Sequence, residues 1–303
     1  MKGYHVYYKI DDEISKYEYV DFLGHLCSIL FWKGIYGEIG LYCNKPFYER
    51  VLYWGLDKYY DTINIDLIEN LSNDKLNIFW SYPKIYAINH ISKYEKNFCV
   101  IDTDFWFYSK LDFNKNHNLV GYHFESLQYD DKSPYISPDN FLTIDEYDWE
   151  TPPINCAFLY FNSNDLISKW HQECLHVINS CQNFNSVNSS HTVFIEQRLI
   201  TTICNKLQLK FSTLIENTYI PFAEKDGSEW SPRIGFFKEN LEKFNNIKHI
   251  WGLKKMFDDP SIKNMVLDVC KKSLDVFFPD WPMYNIKLYE KIEKDIINYE
   301  TTE

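Results

Sequence analysis

The sequence predicts an α/β protein with a mostly parallel central sheet flanked by helices and a C-terminal helical extension. Short apolar strands alternate with segments of helical periodicity through the first hundred residues, the pattern of a parallel sheet covered by helices. Residues 259–303 then read as helix, with stripes such as Leu288, Ile292 and Ile296 at i,i+4 spacing that suit core packing. With 45 % hydrophobic and 24 % charged residues, the 303-residue chain has globular composition and can bury a sizeable core. We expect one domain over residues 1–258, with the extension 259–303 packed on it.

Taken in order, Tyr4–Lys9 reads as a short strand. "YEYVDFLGHLCSILFWKG" carries Phe22, Leu26, Ile29 and Leu30 at helical spacing. A turn at "GIYGEIG" leads to the strand "EIGLYCN", the helix "FYERVLYWGL" ending near Gly55, and the strand "YDTINID". Pro83 can start the helix "PKIYAINHISKY", and "FCVID" follows as the fourth strand. "LVGYHF" and "INCAFLYFN" read as strands, "NDLISKWHQECLHVINS" and "TVFIEQRLITTICNK" as helices. Glu125–Pro153, with four prolines and little periodicity, reads as a long loop that is either a lid or acceptor-facing loop or a surface insertion. Helices over "SIKNMVLDVCKKSLDVFF" and from Met283 to about Asn298 close the chain.

The net charge of −12 argues against nucleic acid as a partner, because phosphate-backbone binding needs a basic surface. It would also repel a phosphorylated substrate unless a metal or a local basic cluster offsets it. Eight cysteines sit singly in apolar segments with no CxxC pair, which reads as buried thiols in a reducing compartment. "MKGYHVYYKIDDE" lacks a signal-peptide core, and no apolar run approaches the ~18 residues of a membrane span. A soluble, cytoplasmic protein without a transmembrane segment is expected.

In "NFCVIDTDFWFYSKLD" two carboxylates, Asp102 and Asp104, follow a buried strand. Ligands of parallel sheets bind at the carboxyl ends of the strands, and residues i and i+2 of an extended segment share a side. Both acids can therefore face one hard cation, Mg²⁺ or Mn²⁺, which keeps open positions for phosphate oxygens. The alternative is that the pair caps a turn or a helix.

The run "VIDTDFW" resembles the DxD motif of nucleotide-sugar glycosyltransferases with the GT-A fold. "HIWGLKK" is similar to the His-x-x-Gly-x-x-Lys signature of glycosyltransferase family 8 at His249, Gly252 and Lys255, although "MF" stands where that family has Pro-Trp. Lys84 lies where such enzymes place a basic residue near the donor sugar. "PINCAFLYFN" resembles the strand that lines the sugar pocket, with Asn155, and "FIEQRLI" the Asp-Gln segment beside the anomeric carbon, with Glu196 in place of Asp and Gln197 retained.

This resemblance implies a GT-A-like domain that moves a hexose from a nucleoside diphosphate sugar, a UDP-sugar being favoured, to an acceptor hydroxyl, with retention, in glycan or polysaccharide biosynthesis or protein glycosylation. It implies Mn²⁺ or Mg²⁺ on Asp102, Asp104 and His249. Donor contacts would come from Lys84, Asp102, Thr103, Asp104, Asn155, Gly252 and Lys255, and catalytic roles from Glu196, Gln197 and Lys255. The acceptor could be a glycan, a lipid-linked glycan or a protein. A double displacement needs a carboxylate or amide such as Glu196 or Gln197 as nucleophile, whereas a front-face route needs neither.

The competing enzyme reading is a haloacid-dehalogenase-like phosphohydrolase using "DTD", disfavoured by the fourth-strand position and by Phe105. A non-catalytic sugar-binding module using the aromatic residues, 18 % of the chain, is a third. For His123 and Glu125 a packing or capping role is expected ahead of acceptor contact, and for Trp106 a core position. His171, Cys174 and His176 are a weak zinc candidate, since His176 lies off the shared helix face.

Overall fold

A computed structural model describes residues 1–8, 18–71, 79–125, 150–181, 189–215, 225–226, 229–230, 246–250 and 260–278. Strand β1 (Lys2–Tyr7) is followed by helix α1 (Glu18–Tyr36), β2 (Ile39–Cys43), α2 (Lys45–Tyr53), β3 (Thr62–Asn64) and the single turn α3 (Asp66–Glu69). Next come α4 (Tyr82–Ile91), β4 (Phe98–Ile101), β5 (Phe105–Phe107), β6 (Leu119–His123), β7 (Phe158–Phe161) and α5 (Asn164–Ser180). Helix α6 (Ser189–Val193) runs through a π-helical turn, Phe194–Arg198, into α7 (Leu199–Lys206), followed by β8 (Phe211–Ile215). Two-residue strands β9 (Lys225–Asp226) and β10 (Glu229–Trp230), strand β11 (Ile247–His249) and helix α8 (Pro260–Phe277) follow, and a 3-10 turn at Asp57–Tyr59 lies between α2 and β3.

The seven-stranded sheet has the order β3-β2-β1-β4-β7-β6-β8. All neighbours pair in parallel except β7, which is antiparallel to β4 and β6. The expected mostly parallel sheet with helices on both faces is therefore what forms. The physical basis is visible in β4, every residue of which is buried. Its alternation sends Phe98 and Val100 into one core with α4, α5 and α7, and Cys99 and Ile101 into the other with α1, β5 and α8.

Local signals act where expected. Pro83 sits in the first turn of α4, and Gly55 adopts a positive φ of 65° just after α2, a backbone state that glycine enters without a Cβ penalty. Ser163 caps α5 by accepting a bond from the Leu166 N–H. The expected turn at 34–40 is shorter, because α1 continues through Tyr36 and Gly37 alone, at φ 96°, reverses the chain. All eight cysteines are free and buried, as their apolar settings predict. Trp106 is fully buried, as expected. Helix α8 packs on α1 through Cys27 and Cys270. The helix expected at 283–298 lies outside the described residues, as do 126–149 of the long loop.

The ends of that loop are described, and they meet. The Glu125 N–H donates to the Pro153 carbonyl at 2.8 Å, Phe124 bridges Ile154, and the Asn155 N–H donates to His123 O at 2.8 Å. The segment thus leaves and rejoins the sheet at one point, beside the carboxyl ends of the strands. No helix among the described residues is long and apolar enough to cross a membrane.

Candidate active site

Strand β4 ends at Ile101, and the backbone then folds into a tight turn in which the Phe105 N–H donates to Asp102 O at 3.1 Å. The two acids come together through this turn rather than through the extended alternation expected from sequence. Asp102 is pinned by its own N–H, which donates to Ala157 O at 2.8 Å. After the turn, β5 pairs antiparallel with β11, setting His249 opposite Phe105, and the Ile250 N–H donates to Asp104 O at 3.3 Å. This pairing carries a histidine from 145 positions away to the acid pair. His249 Nε2 lies 3.7 Å from Asp104 Oδ1.

One ligand atom from each of Asp102, Asp104 and His249 lies within 4.8 Å of the others, the one such group among the described residues. Two carboxylates and an imidazole are a donor set that fits a hard divalent cation. The zinc candidate does not assemble: His171 packs against the Tyr86 ring while Cys174 is in the core.

Lys84 is buried at 8 % exposure. Its ammonium donates to Asp102 Oδ1 at 2.7 Å and to the Cys156 carbonyl at 2.7 Å, and pairs with Glu196 Oε1 at 2.9 Å. An ammonium has three N–H groups, so these three partners occupy all of them. Burial acts to lower its pKa, but the carboxylates of Asp102 and Glu196 outweigh it and hold the ammonium above the ordinary lysine value. Burial pushes the Glu196 carboxyl up, against the pull of Lys84.

Glu196 reaches Lys84 from the π-helical turn. Such a turn releases carbonyls from the helical ladder, and three of them find partners outside it. Ile195 O accepts from Trp170 Nε1 at 2.9 Å, Glu196 O from the Cys156 thiol at 3.6 Å, and Gln197 O from the Ile154 N–H at 3.1 Å. The irregular turn is thereby locked to α5 and to the segment leading into β7, and Glu196 and Gln197 both reach the cleft.

The cleft has a volume of about 310 Å³. The end of β1 contributes Val6, Tyr7 and Tyr8, the acid turn Asp102, Thr103 and Asp104, and β11 His249. Trp80, Ser81, Pro83 and Lys84 line the side at α4, and Asn155, Cys156, Ala157 and Glu125 the side at β6 and β7. Of the residues picked out in the sequence, Lys84, Asp102, Thr103, Asp104, Asn155, Glu196, Gln197 and His249 therefore share one cavity. Gly252 and Lys255 lie outside the described residues.

Asn155 is engaged by the protein on both ends of its amide: Nδ2 donates to Glu125 Oε1 at 2.7 Å and Oδ1 accepts from the Ala157 N–H at 3.0 Å. Glu125, for which packing or capping was expected ahead of acceptor contact, is buried at 2 % exposure and also borders the cleft, and burial raises its carboxyl pKa. Its Oε2 is buried with no hydrogen-bond partner.

A buried polar chain under the acid turn has no motif at all. His25 Nε2 bonds the Tyr60 hydroxyl, which bonds His5 Nδ1 at 2.7 Å. His5 Nε2 bonds Ser28 Oγ at 2.8 Å, and the Ser28 hydroxyl donates to Asp102 O at 3.4 Å. Burial lowers the His5 pKa to about 3, so the ring is neutral.

No family model matches the chain, and no curated protein matches it. Solved structures that resemble it include an active-site mutant of LgtC, at 10 % identity over 70 % of this chain and 72 % of that one, with a TM-score of 0.42. The glycosyltransferase GlyE from Streptococcus pneumoniae TIGR4 aligns at 11 % identity, 71 % and 45 % coverage and a TM-score of 0.38. The WbbM bifunctional glycosyltransferase aligns at 9 % identity, 82 % and 45 % coverage and a TM-score of 0.46. At such scores the chemistry of this chain has to come from its own side chains.

Proposed function

We propose that this chain is a metal-dependent glycosyltransferase of GT-A-like architecture, moving a hexose from a nucleoside diphosphate sugar to an acceptor hydroxyl. The observation that carries the reading is the convergence of Asp102, Asp104 and His249 at the floor of the cleft, with ligand atoms within 4.8 Å of one another. Charge supports it. Among the described residues of the cleft, the acids Asp102, Asp104, Glu125 and Glu196 outnumber the Lys84 ammonium. A divalent cation is the offset that an acidic wall needs to hold a diphosphate.

Mn²⁺ or Mg²⁺, if bound there, would supply Lewis-acid stabilisation to the diphosphate leaving group. Asp102, Asp104 and His249 hold it, and Val6, Tyr7 and Tyr8 border the same cleft on the β1 side, where the nucleoside fits. Lys84 has no N–H to spare for the sugar, so it works through the two carboxylates that it orients. Glu196 and Gln197 stand beside the sugar position, and Thr103 and Asn155 complete its wall. By the sequence resemblance Gly252 lets the backbone approach the diphosphate and Lys255 neutralises charge developing on it. Retention, a UDP-linked donor, a role in glycan synthesis and a 1–258 domain with its 259–303 extension belong to the same proposal.

The test is a panel of UDP-, GDP- and CDP-sugars with and without Mn²⁺ or Mg²⁺, run on wild type and Asp104→Asn. Wild type should hydrolyse at least one donor slowly and only with metal, and the substituted protein should lose at least a hundredfold. Equal turnover in Asp104→Asn, or metal-independent turnover in wild type, refutes the metal site.

A further inference from the structure

We propose that Trp80 is the platform on which a pyranose ring of the acceptor stacks, so that the acceptor is a glycan or glycoside rather than a protein side chain. The inference rests on the glycosyl-transfer reading above and names the substrate class of that site.

Trp80 stands out because its neighbours do the opposite. Phe79 is fully buried and Ser81 is 1 % exposed, whereas Trp80 between them is 45 % exposed and lines the cleft. The backbone on either side of Trp80 is tied to the helix that follows: the Tyr82 N–H donates to Phe79 O at 2.9 Å and the Lys84 N–H to Ser81 O at 3.1 Å. Among the described residues no ring stacks on the indole. A large, half-exposed aromatic in a cavity wall offers apolar contact area at low entropic cost to a ring that has an apolar face of its own.

The position of Trp80 follows from a series of contacts leading away from the cation group. Asp102 bonds Lys84, and Lys84 bonds Glu196. Ser81 Oγ, next to Trp80, donates to Thr192 O at 3.1 Å, and Thr192 lies about one turn ahead of Glu196 in the same continuous helical segment. With the diphosphate at a divalent cation that Asp102, Asp104 and His249 would hold, the donor sugar would lie at Lys84 and Glu196. The next ring outward meets Trp80.

The rest of the wall selects the chemistry of that ring. A pyranose presents C–H groups on its face and hydroxyls on its rim. The indole suits the face, and the rim needs acceptors in the same cavity. Glu125 lines the same cavity and brings a carboxylate to it that can accept from a rim hydroxyl.

The test measures binding of lactose, maltose, methyl β-galactopyranoside and methyl α-glucopyranoside by saturation-transfer NMR. It uses the full chain with UDP and Mg²⁺, with UDP–Mg²⁺ affinity followed separately by calorimetry. Wild type, Trp80→Ala and Trp80→Phe are compared; the residue is half exposed, so both variants should melt with wild type. At least one sugar should bind wild type, weaken tenfold or more in Trp80→Ala and stay within threefold in Trp80→Phe, with UDP–Mg²⁺ affinity within twofold throughout. The proposal is overturned by sugar binding in Trp80→Ala within twofold of wild type, by a parallel loss of UDP–Mg²⁺ affinity, or by a wild type that binds none of the four sugars. A wild type that binds sugars through Trp80 but takes no UDP, GDP or CDP with Mg²⁺ removes the transferase reading itself, and with it the acceptor role.

Discussion

Replacing Lys84 by Met keeps the buried stem and removes the charge between Asp102 and Glu196. Both carboxylates bond the same Nζ, at 2.7 and 2.9 Å, so they stand within roughly 6 Å of each other, a repulsion of about 3 kcal/mol at an effective dielectric of 20. The Asp102 side chain is 34 % exposed, so water screens its share, but Glu196 at 4 % has no such relief. A loss of about 3 kcal/mol, the low end for breaking a buried pair, is therefore expected at pH 8. Urea denaturation followed by far-UV circular dichroism reads it.

Lys84→Met/Glu196→Gln should recover most of that loss, because the second change removes the stranded charge. Lys84→Met alone should also regain stability as pH falls from 8 to 5 and Glu196 takes up a proton. In wild type the Lys84 ammonium is held above its ordinary value of 10.5. Its contribution is accordingly complete below that pH and is lost only as pH rises through the folded-state value. A loss under about 1 kcal/mol in Lys84→Met, or a double variant no more stable than the single, would refute the triad as the organiser of this wall.

Two further predictions probe the frame beneath the site. A Cβ added at Gly121 in β6 would lie 2.4 Å from Ile154 Cγ1 and 2.5 Å from Cδ1, in a fully buried setting. Gly121→Ala should thus cost about 1–3 kcal/mol by overpacking and lower Tm by several degrees; an unchanged Tm would show that Ile154 yields freely. His5, with its pKa lowered from 6.5 to about 3, stays neutral in the folded state while the unfolded chain binds a proton. Its contribution is complete above pH 6.5 and is lost as pH falls from there toward 3, at up to about 1.4 kcal/mol per pH unit. His5→Asn should flatten the stability slope between pH 6 and 4 by one proton relative to wild type, and an identical slope would mean that His5 is protonated in the fold.

What could be read from the chain alone was what depends on neighbours in sequence. The Asn164–Ser180 helix, the Pro83 start, the stop near Gly55 and the apolar strand ahead of Asp102 follow from periodicity and backbone preference, which act within a few residues. The alternation of such segments was enough to expect a mostly parallel sheet, and the acid pair at its carboxyl edge. The partnership of that pair with His249 was legible only through motif resemblance, because nothing local links residues 104 and 249; the β5–β11 pairing makes the link.

Other features only the tertiary structure decided. The acids meet through a tight turn, Lys84 spends all three N–H groups on protein partners, and a π-helical turn delivers Glu196 to it. Glu125 comes to the cleft with an unmet oxygen, and Trp80 is turned out between two buried residues. Each depends on how donors and acceptors from distant segments satisfy one another once water has been excluded. Strand and helix propensities carry no information about that matching, because the partners become neighbours only when the sheet has formed.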